Sequence, residues 1–319
     1  MRQDSFILVA LLLCAPAIAG VKRPGSEPFD ARQSAALFVG VRDFAYDQLT
    51  NVPYAIDDAV DLAYEFSVHN QPPLVAPSRV VLALSKGDPV KPQSRRKLAQ
   101  LLAAGASRRS AQSAEILQLL ELQSKRVGRN GVLIVSFATH GVSRGNTEYL
   151  LTTASRVTGP PSATVTDAEV KEIVWRNNVP RSLILIDACR ERLTGDRRAG
   201  RRDPRSAFIH VMTGLEGQVM ISGAAADGYA YDDDERRNGV FTAAVIDGLQ
   251  CGAAKDWHGF ITVDTLHRYV SRHVLSWVRH HRDREAKKAT LLVSDGEMRK
   301  MPLSICVSRT AAAAAPRPE

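Results

Sequence analysis

Residues 181–190 read RSLILIDACR, and residues 131–140 read GVLIVSFATH. Both are runs of Leu, Ile and Val. Pro180 precedes the first and Gly131 opens the second. Apolar runs of this length, bounded by Gly or Pro, read as buried strands of a parallel sheet. One ends on Asp187-Ala188-Cys189-Arg190 and the other on His140-Gly141. In a parallel sheet the chemistry is carried just beyond the carboxyl ends of the strands, so a His and a Cys are expected to project from one sheet edge. A thiol is only a few per cent thiolate at neutral pH. An imidazole that accepts its proton makes it a nucleophile.

The flanking sequence alternates between strands and helices. Residues 34–40 form a first strand, and Asn51 and Pro53 open a helix running to about Val68. Residues 79–84 form a second strand. Residues 86–110 are polar, basic and Ala-rich, and read as an insertion with one helix near 96–104. An amphipathic helix follows at 113–123, and residues 148–154 read as a short strand or hairpin arm. Thr166-Asp-Ala-Glu169 is a capping box, in which the threonine and the glutamate satisfy each other's backbone N–H. Further strands are expected at 218–222 and 290–293, and further helices at 240–249 and from Thr262 to about His280. The fold class expected from this alternation is α/β, with a doubly wound, mainly parallel sheet flanked by helices.

At these residues the sequence resembles the caspase-like cysteine peptidases, especially bacterial caspase homologues and metacaspases. Caspases carry a local signature around the nucleophilic Cys with the His about 50 residues upstream; here 189 minus 140 gives 49. The chain has Asp187 where caspases carry Gln, as metacaspases do. The resemblance spans roughly residues 32–305. It takes in residues 35–40, Tyr54-Ala-Ile-Asp-Asp58, Val219-Met-Ile-Ser-Gly223 and Asn238-Gly-Val-Phe-Thr242. The departures are Phe137-Ala138-Thr139 before His140, where Ser-Gly is usual, and Glu191-Arg192 after Arg190.

The resemblance implies a Cys-His dyad of Cys189 and His140, with an oxyanion site at the Gly141 amide, since Gly permits close approach. Residues two apart in a strand face the same side, so the Asp187 carboxylate is expected near Cys189. By resemblance to metacaspases, Asp187 and Asp58 line the pocket for the residue preceding the cleaved bond, with Asp227 as a third acidic position. Such a pocket selects Arg or Lys. The expected partners are therefore proteins or peptides with basic residues. Two other readings stay open: a weak or inactive caspase-fold binding module, and another Cys-His hydrolase of the same broad fold, legumain-like or gingipain-like.

The length of 319 residues suits one large α/β domain or two small ones, and the 45% hydrophobic fraction is ordinary for a globular protein. Arg2, the apolar stretch 6–13 and Ala17-Ile18-Ala19 read as a signal peptide over residues 1–19. The stretch is too short to span a membrane. An exported protein, periplasmic or secreted and without a stable membrane anchor, is expected. Residues 20–31 read as a flexible lead, 32–305 as the peptidase domain and 306–319 as a disordered Ala/Pro tail.

The net charge is +8, and residues 190–205 hold seven arginines. Residues 190–216 read as an Arg-rich linker of the kind that separates two subunits. No aromatic residue interleaves the arginines, so they make a poor stacking surface for single strands, and no nucleic-acid partner is expected. Removal of the leader leaves Cys189, Cys251 and Cys306; the last two are expected as buried small hydrophobes rather than a pair. Asp232-Asp-Asp-Glu235 lacks the ligand alternation of a calcium loop and reads as a solvated loop. His280-His281 reads as a pair beside a helix dipole. No metal or cofactor is expected.

Overall fold

β1 (Ala35–Gly40) is an interior strand of the main sheet, and every one of its residues is buried. The computed structural model describes residues 30–46, 49–144, 147–158, 160–192, 217–223, 230–281, 291–294 and 296–306. The other strands that concern the sheet are β2 (Val80–Leu84), β3 (Ser107–Ser110), β4 (Leu133–Arg144), β5 (Thr147–Arg156), β6 (Ser162–Thr166), β7 (Ser182–Arg192) and β8 (Gln218–Ser222). Two short strands, β9 (Asp232–Asp233) and β10 (Asn238–Gly239), pair antiparallel beside the sheet. So do β11 (Phe260–Thr262) and β13 (Pro302–Ile305), while β12 (Leu291–Ser294) pairs antiparallel with β8.

The sheet runs β12-β8-β7-β4-β1-β2-β3, with β5 and β6 attached beside β4. From β8 to β3 all neighbours are parallel. The chain leaves β1 towards β2 and β3 on one side and returns to build β4, β7 and β8 on the other. The strand order thus reverses between β1 and β4, and the crevice outside their carboxyl ends is where open α/β sheets bind ligands.

Helices cover both faces: α1 (Ala55–Tyr64), α2 (Pro92–Ala103), α3 (Ser113–Arg126), α4 (Asp167–Arg176), α5 (Val240–Asp247) and α6 (Val263–His281). The period of two along each strand separates two cores. Ala36, Phe38, Ile134, Leu183, Leu185 and Val219 meet Ile56 and Val60 of α1, Ala244 of α5 and Val270 of α6. Leu37, Val135, Phe137, Ile184 and Ile186 meet Ile116 of α3 and Ile173 of α4. Phe38 stacks on Phe66 with centroids 6.3 Å apart; truncating such a buried ring to Ala costs about 3 to 5 kcal/mol. A Cβ on Gly40 would lie 2.5 Å from the Ala55 carbonyl oxygen, so glycine lets the start of α1 sit directly over the end of β1.

The predicted capping box at Thr166 and Glu169 is present, with the Thr166 N–H donating to Glu169 Oε2 at 2.8 Å and the Glu169 N–H to Thr166 Oγ1 at 3.2 Å. His280 and His281 bond through Nδ1 to the carbonyls of Ser276 and Trp277, in the last turns of α6.

Several expectations are corrected. Residues 86–110 are not an insertion: they hold α2 and the edge strand β3, which pairs with β2. β3 reads Ser-Arg-Arg-Ser and has no apolar run to reveal it. Edge strands are commonly polar and charged. β6 and β13 also lack a sequence signal. Cys251 and Cys306 are not separate buried thiols but a disulfide, with Cα atoms 5.5 Å apart. It ties the end of the α5 segment to the end of β13, so Cys306 belongs to the folded domain. Residues 1–29, the span 193–216 and residues 307–319 lie outside the described residues, and with them the leader, most of the Arg-rich linker and the tail. No described helix is long and apolar enough to cross a membrane.

Candidate active site

β4 exchanges its neighbour at the reversal point. It pairs with β1 up to Ala138, opposite Gly40, and with β5 from Gly141, opposite Leu150. On its other side it keeps β7 throughout. Thr139 Oγ1 donates to the Leu151 carbonyl at 2.8 Å and closes the gap on the β5 side. His140 stands at the exchange, where the loop after β1 reaches over the sheet. Its Nε2 is 2.8 Å from the Thr50 carbonyl oxygen. A carbonyl only accepts, so Nε2 carries the hydrogen and the neutral ring has its lone pair at Nδ1. Phe44 stacks on the imidazole, with centroids 5.2 Å apart and planes at 27°.

Cys189 is the register partner of His140 across β4 and β7. The two positions are therefore not in loops beyond the strands, as the apolar runs suggested. β4 continues to Arg144 and β7 to Arg192, because β5 and the opposed strand supply pairing past the end of β1. Gly141 lies between Arg190 of β7 and Leu150 of β5. Position 189 shares the strand parity of Leu183, Leu185 and Asp187, the face covered by α1 and α5.

A cavity of about 170 Å³ opens beside His140, walled by Thr50, Asp58, Asp187, Asp232 and Gly239. Asp58 comes from the first turn of α1, Asp187 from β7 and Asp232 from β9. Asp187 Oδ2 accepts from the Thr242 N–H at 3.2 Å and from Thr242 Oγ1 at 2.8 Å. Asp58 accepts from the Gly239 N–H at 3.0 Å and from Asn238 Nδ2 at 2.8 Å. A Cβ on Gly239 would collide with Asp187 Oδ2 and lie 3.2 Å from Asp58 Oδ2. Glycine at this position keeps the floor of the cavity open between the two carboxylates.

Both carboxylates are buried, at 2% exposure for Asp58 and 7% for Asp187. Burial pushes the Asp187 carboxyl up to about 7, reinforced by the Asp232 charge and opposed by the Thr242 bonds. Burial also pushes Asp58 well above the carboxylate range; Asp187 and Asp232 add to this, and Asn238 and the Gly239 N–H oppose it. No cation offsets the charge of either group among the described residues. Each buried carboxyl therefore binds its proton more tightly than it would in water.

The structure thus brings His140, Asp187 and Asp58 together with Cys189 on the adjoining strand. Asp227 lies outside the described residues. Asp232, read from sequence as part of a solvated acidic loop, instead lines the cavity, because β9 folds back on β10. Thr50, Asn238 and Thr242 act through contacts that only the fold creates. Among the described residues no group of three His, Cys, Asp or Glu is placed to hold a metal ion.

A family model for the caspase domain matches residues 33–311. The chain belongs to the caspase-domain family. The members of this family are cysteine peptidases. Its fold is shared by known crystal structures. Caspase-1 from Spodoptera frugiperda superposes with a TM-score of 0.52 at 14% identity, covering 85% of this chain and 94% of that one. Protein GSU0716 from Geobacter sulfurreducens superposes with a TM-score of 0.53 at 13% identity, covering 85% and 98%. No curated protein sequence matches the chain significantly.

Proposed function

We propose that this caspase-domain protein is an endopeptidase with a Cys189-His140 dyad that cleaves after Arg or Lys. The carboxylate-walled cavity beside His140 carries the reading. Cys189 attacks the peptide carbonyl carbon, and its thiol proton passes to His140, whose Nδ1 lone pair is left available by the Thr50 bond. The C–N bond then breaks, and the imidazolium protonates the departing amine. Water, deprotonated by the same imidazole, hydrolyses the thioester and restores the thiol. The N–H groups of Gly141 and Cys189 are assigned to the oxyanion; losing one such donor costs about 3 to 4 kcal/mol.

Asp58 and Asp187, with Asp232 at the wall, receive the basic side chain that precedes the scissile bond. Asp227 is kept as a further acidic candidate. A guanidinium or ammonium supplies the charge that the two buried carboxyls lack, while an acidic side chain there would meet like charge. The partners are proteins or peptides with basic residues; no cofactor, nucleic acid or stable membrane anchor is invoked. Export through a leader at residues 1–19 is part of the proposal. The Cys251–Cys306 disulfide favours an oxidising compartment.

The test is a cleavage profile on a peptide library varied at the residue before the scissile bond, with Cys189→Ala as control. Cleavage after Arg or Lys that vanishes in the control is expected. A preference for Asp at that position overturns the pocket assignment.

A further inference from the structure

α1 carries three successive buried carboxylates with different tasks. Asp57 accepts from the backbone N–H of Val90 and of Lys91, at 2.8 Å each, and so fixes the chain where it enters α2. Asp61 accepts from Lys91 Nζ at 2.5 Å, Lys97 Nζ at 3.0 Å and Ser94 Oγ at 2.8 Å. Asp58, between them in sequence, faces the cavity beside His140.

Asn238 joins the last two. Its Nδ2 donates to Asp58 Oδ1 at 2.8 Å and to Asp61 Oδ2 at 3.2 Å. Its Oδ1 accepts from Lys91 Nζ at 2.5 Å. On the far side of Asn238 is a second cavity of about 610 Å³, lined by Asp61, Lys91, Lys97 and Arg236 among others. Asn238 is thus a partition: the specificity carboxylate stands on one side and an ion cluster on the other.

The chemistry of the amide makes the partition directional. An ammonium only donates and a carboxylate only accepts. With Lys91 on one side and two carboxylates on the other, only one orientation of the amide is satisfied: oxygen to Lys91, nitrogen to Asp58 and Asp61. The flipped amide would set N–H against ammonium and oxygen against carboxylate. Asp57 holds the Lys91 backbone in place for this.

The charges that weigh most on Asp58 are Asp187 from β7 and Asp232 from β9, both acidic, and the Asn238 and Gly239 donors favour its ionised form. We propose that Asn238, oriented by Lys91, is a positioning residue for recognition of the basic side chain, holding Asp58 as an acceptor that faces the cavity. This rests on the reading of that cavity as the seat of the residue before the scissile bond.

The test uses full-length Cys189→Ala protein and benzamidine, an amidinium probe, with binding followed by calorimetry. Asp58 is followed in parallel by carboxyl-carbon NMR titration. A hydrogen bond to a charged group is worth enough that Asn238→Ala is expected to weaken benzamidine about tenfold or more and to raise the Asp58 titration. Lys91→Gln, which leaves the walls of the cavity intact, is expected to do the same in part, and Lys91→Arg to restore binding. Lys91→Gln also keeps the test decisive if Asn238→Ala does not fold. Binding within twofold of the parent in the Asn238 and Lys91 variants, with an unmoved Asp58 titration, overturns the proposal while leaving the pocket reading intact. A parent protein that takes no benzamidine overturns the pocket reading, and this proposal with it.

Discussion

His140 and Cys189 are register partners on two adjacent parallel strands, β4 and β7. Neighbouring strands lie only about 4.8 Å apart, so this pairing sets the two backbone positions side by side without any loop between them. The ladder itself fixes their relation. His140 is additionally held by the Thr50 carbonyl at 2.8 Å and by the face of Phe44.

Because backbone bonds hold both positions, substitution at either is expected to leave the fold in place. Cys189→Ala and His140→Ala are each expected to lower kcat/KM on an Arg peptide by about 10³-fold or more. The circular dichroism spectrum and melting temperature should stay near those of the parent. Peptide-hydrolysis kinetics and a thermal melt on the same preparations check this; near-parental activity in either variant removes it from the chemistry.

Burying Asp187 carries a cost in stability. Its folded-state carboxyl titrates at about 7 against an ordinary 3.8. The folded protein therefore binds the proton more tightly than the unfolded chain. The group costs nothing at a pH below its unfolded value. Between about pH 4 and 7 stability falls as pH rises, and above 7 the full cost applies, of the order of a few kcal/mol. Asp187→Asn is expected to raise the melting temperature at pH 8, to leave it nearly unchanged at pH 4, and to lower kcat/KM for Arg peptides about a hundredfold or more. For the parent, KM for Arg peptides should fall as pH rises through about 7, because the cation displaces the proton. Melts and kinetics across pH 4–8 check both halves; equal melting shifts at the two ends would contradict the assignment.

Gly239 offers a steric test of the same cavity. Its backbone sits at φ −58° and ψ 138°, which alanine adopts freely. A methyl group there would meet Asp187 Oδ2 and crowd Asp58. Gly239→Ala is expected to abolish cleavage after Arg and Lys while the protein stays folded. Kinetics beside a melt check it; full activity would mean that the basic side chain enters elsewhere.

The legible part of this protein was its parallel centre. β1, β2, β4, β7 and β8 are apolar runs, and burial on both faces leaves that mark on a sequence. The capping box at Thr166 was legible because both partners lie within one turn. β3 was not, since an edge strand of Ser and Arg carries no period. Motif and resemblance single out His140, Asp187 and Asp58, and the fold gathers these three around one cavity. The place of Asp232 at the cavity has no local signal, because it depends on β9 folding back onto β10. Thr50 acts through a backbone carbonyl, which no side-chain pattern reports. The Cys251–Cys306 pair needed a distance, and spacing alone supplies none.

That disulfide closes a separation of 55 residues. In the chain-entropy view a loop of this length contributes about 4 kcal/mol. It joins α5's end to β13, away from the His140 cavity. Cys251→Ser with Cys306→Ser is expected to lower the melting temperature markedly and to leave kcat/KM on Arg peptides, measured well below the new melting point, within a few-fold of the parent. A melt with and without reductant checks the parent; no shift on reduction would mean that the bridge is absent in solution.

The Arg-rich segment between β7 and β8 lies outside the described residues. Residues 195–204 read GDRRAGRRDP: polar, Gly-containing and without apolar periodicity. Exposed segments of this composition are where proteolytic nicking concentrates. The strands on either side of the segment, β7 and β8, are paired directly with each other in the sheet. An enzyme selective for Arg meets several targets there in its own chain. Wild-type protein is therefore expected to appear as two fragments cut within residues 195–204, still associated through the sheet, whereas Cys189→Ala stays full length. Intact-mass measurement of both proteins checks this. A wild-type enzyme that remains full length while fully active on Arg peptides removes self-cleavage from the account.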